Sequence, residues 1–156
     1  MKGSIICGVD DSLSARGAAR VARALGSRLG SGLIFVRVVE PDAPDDELSA
    51  IAERLEWLSA EATDVDCGAA WLVDQGHPAD RLVAAAKEAE ASLIVVGSSG
   101  HSSPLIGSVS AEVSRRAHCP VVVVPPGADA LLGHDDGDAD ITGGVVRFGG
   151  SSELAR

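Results

Sequence analysis

Five short, mostly apolar runs punctuate the chain, at residues 4–9, 33–39, 69–73, 93–96 and 121–124. Between consecutive runs lie stretches with helical spacing. Strands that are apolar on both faces cannot border water, so they need helices above and below, and strands joined through helices run parallel. Right-handed crossovers then wind an α/β fold, a doubly wound five-stranded parallel sheet with helices on both faces.

The helical stretches carry their own signals. Residues 12–29 place Ala15, Ala18, Ala22, Leu25 and Leu29 on one face, after a turn whose Asp10 and Ser12 offer capping oxygens. Asp45 and Asp46 supply an acidic start for a second helix lined by Leu48, Ile51 and Leu55. Gly76-His77-Pro78 makes a turn with proline at a first helical position, and Ala79, Leu82, Val83 and Ala86 mark a third helix ending near residue 91. Residues 108–117 form the fourth.

In such sheets the ligand crevice lies beyond the carboxyl ends of the strands, where the winding direction reverses. Two strand ends here carry unusual residues. The first strand ends on Gly8, Val9 and Asp10, and the fourth empties into Gly97-Ser98-Ser99-Gly100, with a helix opening at Gly107-Ser108. A glycine- and serine-rich loop feeding a helix start builds a cup of backbone N–H groups that suits an anion such as phosphate. Neither a Gly-Lys-Ser/Thr loop nor G-x-G-x-x-G occurs. The bland alternative makes the glycines turn residues and Asp10 the N-cap of the first helix.

At 156 residues the chain suits one domain with a full core. A net charge of −10 and only 3% aromatic residues argue against nucleic acid and anionic membranes as partners. No apolar run approaches a membrane span, and Cys7, Cys67 and Cys119 form no CxxC pair, so a cytoplasmic protein with unpaired thiols is expected. His77, His101, His118 and His134 fall on separate turns, so no metal site is assigned. Asp10 is a lone carboxylate without a nucleophile–base partner, so no enzyme activity is assigned either. Residues 1–126 form the domain. Residues 127–156 read as an acidic Gly/Asp-rich tail without a helical stripe, expected to be disordered; its Asp-x-Asp spacing lacks the distal glutamate of a calcium loop.

These blocks, in this order, resemble the universal stress protein family from residue 4 to residue 124. The matching pieces are Ile5-Ile-Cys-Gly-Val-Asp10-Asp-Ser12, Phe35-Val-Arg-Val38-Val-Glu-Pro41, Leu93-Ile-Val-Val-Gly-Ser-Ser-Gly100, Gly107-Ser-Val-Ser110 and His118-Cys-Pro-Val-Val-Val-Val-Pro125. The resemblance implies a strand order 3-2-1-4-5, a homodimer, and ATP or another adenine nucleotide as ligand. It implies that Asp10, beside Gly8 and Val9, meets the adenine–ribose end and that the Val38 backbone reads the adenine edge. It further implies that Gly97, Ser99 and Gly100 border the phosphates, with donors from Gly107, Ser108, Val109 and Ser110. Between Gly100 and Gly107 lie six residues where the family pattern has nine, and residues 97–110 hold no lysine or arginine. Losing three residues removes nearly one helical turn from the phosphate wall. That departure keeps a second reading open, a nucleotide-independent dimeric stress or interaction module. Val121, Val122, Val123 and Val124 lie at a sheet edge in the implied order, and pairing them with the same strand of a second copy removes an aggregation hazard.

Overall fold

A computed structural model of the chain describes residues 3–10, 12–61, 68–98 and 107–132. Ser99, Gly100, His101, Cys67 and the tail beyond residue 132 lie outside the described residues. The elements alternate as β1 (Ile5–Gly8), α1 (Leu13–Leu29), β2 (Leu33–Val39), α2 (Asp45–Glu61), β3 (Ala69–Gln75), α3 (Pro78–Glu88), β4 (Leu93–Gly97), α4 (Ser108–Arg116) and β5 (Val121–Val124). All strand pairs are parallel, in the order β3-β2-β1-β4-β5.

That order follows from burial. Ile5, Ile6, Phe35, Ile94 and Val95 are completely enclosed, so β1, β2 and β4 occupy the sheet's middle. Right-handed crossovers place α1 and α2 on one face and α3 and α4 on the other. α3 packs against α4, while α1 lies across β1 and β4 on an alanine stripe formed by Ala15, Ala18, Ala19 and Ala22. Small residues let the helix sit close to the sheet.

The helix ends have local causes. Ser12, with extended φ/ψ, caps α1 by accepting from Ala15 N at 3.1 Å, and Gly30 ends it at φ 60°. The cap is therefore Ser12 rather than Asp10. Pro78 opens α3 at its first position. That helix stops at Glu88, earlier than its apolar pattern suggests, because Glu90 adopts φ 48° without being glycine.

β3 runs two residues past its apolar stretch. Asp74 and Gln75 pair with Val38 and Val39, and the Asp74 carboxylate binds Arg81 of α3. At the opposite edge, Val121, Val122 and Val123 are half-buried and Val124 is buried. Beyond β5, Ala128–Leu132 forms a short 3-10 helix packed against α1, so the chain stays ordered just past the expected domain end. No helix among the described residues is long and apolar enough to cross a membrane.

Candidate functional site

The winding reverses between β1 and β4, whose register sets Cys7 beside Val95 and so brings the two strand tips level. A cavity of about 210 Å³ opens there. Nine residues singled out from the sequence line it: Gly8, Val9, Asp10, Val38, Gly97, Gly107, Ser108, Val109 and Ser110. Ser99 and Gly100 fall outside the described residues. The sequence did not reveal Ser12, Ser14 and Ala15 of the α1 start, nor Pro78 and Leu82 of α3, nor Val36, Arg37 and Val96. The first five arrive through helix packing, and the last three belong to β2 and β4 just before their tips, which no local motif announces.

Each wall has its own chemistry. Val9 N donates to Val36 O at 2.9 Å, the last bond between β1 and β2. Backbone groups along a strand alternate sides, so the N–H and C=O of Val38 point the same way as those of Val36. β1 has ended by then. Among the described residues no strand pairs with Val38 on that side, so its donor and acceptor face the cavity that it lines, while Val39 O, on the other side, accepts from Gly76 N at 2.9 Å.

Asp10 is half-buried, and its Oδ1 accepts from Ser12 N at 2.7 Å. This Asx turn pins the carboxylate at the cavity floor and directs the chain into α1. Opposite stands the start of α4. Gly107 takes the cap position with extended φ/ψ and brings no side chain, so among the described residues no side-chain oxygen caps the first amides of the helix. Ser110 is buried and its Oγ donates to Gly107 O at 2.9 Å, holding the turn.

Gly97 owes its identity to packing. A Cβ there would stand 2.5 Å from Ser14 Oγ and 2.8 Å from the Ser14 carbonyl carbon, so α1 itself requires glycine. Gly8 is less constrained, its Cβ meeting the flexible ends of Leu82 and Val96 at 3.1 and 3.2 Å. Among the described lining residues Asp10 is the sole carboxylate, accompanied by Arg37 and no histidine or cysteine. The walls offer hydroxyls, amides and apolar surface, a composition suited to holding a small polar ligand with an aromatic or aliphatic body.

Residues 1–125 match the profile of the Universal stress protein family. A universal stress protein from Thermus aquaticus is 36% identical over 135 residues, covering 78% of this chain and 97% of its own length. Among solved structures, the universal stress protein of Lactobacillus plantarum superposes with a TM-score of 0.71 at 23% identity, covering 79% of this chain and 97% of its own. A universal stress protein in complex with cAMP superposes with a TM-score of 0.64 at 29% identity, covering 80% of this chain and 98% of its own.

Proposed function

This chain belongs to the universal stress protein family, and from that premise we propose that it is a nucleotide-responsive regulator that binds an adenine mononucleotide at the β1–β4 switch point. The observation that carries the reading is the place of Val38 on the cavity wall, two residues past the β2 carbonyl that Val9 N reaches. A donor and an acceptor side by side match the N1/N6 edge of adenine, and apolar Val36, Leu82 and Val96 supply walls for the ring. Asp10, with Oδ1 committed to Ser12 N, keeps Oδ2 for the ribose hydroxyls. The uncapped start of α4 receives the phosphate. The relative solved with cAMP supports the same ligand class.

A monophosphate suits this site better than ATP. The cavity, at about 210 Å³, is smaller than most ligand sites, and residues 97–110 carry no lysine or arginine in a chain of net charge −10. Amide dipoles at an exposed helix start contribute about 0.3–1 kcal/mol, enough to seat one phosphate but little against three. The reading assigns no catalytic step: Asp10 is the sole carboxylate among the described lining residues, and no histidine stands beside the serine hydroxyls there. It includes a dimer formed along the β5 edge, through Val121, Val122 and Val123.

Calorimetry with AMP, ATP and adenosine tests the ligand. AMP binds more tightly than ATP, and Asp10→Asn, whose amide oxygen still accepts from Ser12 N, weakens AMP by about tenfold or more through loss of a charged hydrogen bond. Silence from all three ligands at millimolar concentration removes this reading. The six-residue spacing between Gly100 and Gly107 then favours the nucleotide-independent interaction module.

A further inference from the structure

Apart from the residues that line the cavity, the seam between α3 and α4 gathers His77, Asp80, Glu112 and Arg116. His77 precedes α3 and makes no capping hydrogen bond with its side chain. Its Nδ1 lies 3.8 Å from Asp80 Oδ2, and its Nε2 lies 3.9 Å from Glu112 Oε2. Arg116 takes the other two oxygens: its Nη1 donates to Asp80 Oδ1, and to Glu112 Oε1 at 2.9 Å.

We propose that His77, Asp80 and Glu112 form a binding site for a divalent transition cation of the zinc class, with Arg116 orienting the two carboxylates from behind. Imidazole nitrogen and carboxylate oxygen are both zinc ligands, and water completes a four-coordinate shell at an open site. One ligand atom from each of the three residues already falls within 4.8 Å of the others. Tetrahedral bonds of 2.0–2.1 Å need ligand atoms about 3.4 Å apart. Exposed side chains close that gap by rotation: His77 and Asp80 are 54% and 53% exposed, and Glu112 is 30% exposed.

The carboxylate oxygens are divided between the guanidinium and the imidazole. Arg116 occupies Oδ1 and Oε1, so both carboxylates are held while Oδ2 and Oε2 remain turned toward the imidazole. Ligating carboxylates in metal sites are hydrogen-bonded from behind in this way. Two carboxylates against the one guanidinium of Arg116 leave these four residues net negative with a neutral imidazole, and the next cation, Arg81, is paired with Asp74. A bound cation would rivet α3 to α4 beside Pro78 and Ser108, two residues of the cavity wall.

The test is zinc chloride titrated calorimetrically into the full chain after chelator treatment, together with thermal melts. Wild type takes up one zinc ion per chain at this site and melts at higher temperature with zinc. His77→Ala and Glu112→Gln each weaken that event by about tenfold or more and lose the thermal shift. Both substitutions are at the surface, and melts in chelator, matching wild type, show that the variants are folded. His134→Ala removes the histidine of the acidic tail and leaves the event unchanged. Wild-type affinity in both His77→Ala and Glu112→Gln, or no zinc uptake by wild type, overturns the proposal.

Discussion

Gly97→Ala separates two reasons for the glycine at the tip of β4. If glycine is there to admit a phosphate, alanine weakens the ligand and leaves the fold alone. If α1 demands it, alanine destabilises the protein even without ligand. The geometry favours the second, because the new Cβ meets Ser14 Oγ at 2.5 Å, the Ser14 carbonyl carbon at 2.8 Å and Ala15 N at 3.0 Å. Two of those three atoms are backbone, so relief requires the first turn of α1 to lift from the sheet. Overpacking of this kind costs about 1–3 kcal/mol, and reduced freedom of the unfolded chain returns about 0.4–1 kcal/mol. The net is about 1–2 kcal/mol, a fall in Tm of about 4–8 °C for a domain of this size. Gly8→Ala is the control. Its contacts, at 3.1–3.2 Å, are the methyl ends of Leu82 and Val96, and it lowers Tm by less than about 4 °C, within the range of a mild overpacking. Circular-dichroism melts in nucleotide-free buffer read both variants. A Gly97→Ala protein that melts with wild type while losing AMP affinity refutes the packing account.

Three smaller tests concern the frame around the site. Ser12→Ala removes the oxygen that caps Ala15 N and lowers stability by about 0.5–2 kcal/mol in urea denaturation; an unchanged midpoint means that Ser12 contributes nothing as a cap. Arg116→Gln returns the Asp80 midpoint toward its ordinary 3.8 in a carboxyl NMR titration. The lowered pKa in the folded state favours folding above that value, and the benefit is lost as pH falls through the folded-state pKa; Asp80 titrating alike in both proteins contradicts the Arg116 assignment. Burial pushes the Cys7 thiol far up, so in a chain with Cys67→Ser and Cys119→Ser it stays unmodified by a thiol reagent at mildly alkaline pH until the protein unfolds. Rapid labelling of the native state shows otherwise.

The sheet was legible because its central strands are apolar on both faces, a pattern only a covered parallel sheet accommodates. What stayed illegible is where tertiary pairing recruits polar residues. Asp74 and Gln75 extend β3 because Val38 and Val39 offer partners and Arg81 meets the Asp74 carboxylate. The end of α3 was hidden because Glu90 takes a positive φ that usually signals glycine. For the cavity, the strand tips and the α4 start were readable as motifs. The reason for Gly97 was not, since Ser14 approaches it only once α1 has folded over β4. The serine before the α1 pattern did carry a signal, that of an N-cap, although nothing local placed it on the cavity wall. The His77 cluster was not read from the sequence: His77 and Asp80 stand three residues apart at the start of α3, but Glu112 and Arg116 come from another helix.

Backbone amide NMR of the full chain during an AMP titration tests the central claim most directly. The account predicts that the largest shifts fall on Gly8, Val9, Asp10, Val38 and the amides at 107–110, saturating together, with the remote end of the sheet around Ile5 and Leu33 unmoved. Shifts centred on β3 or α2, or none at millimolar AMP, contradict it.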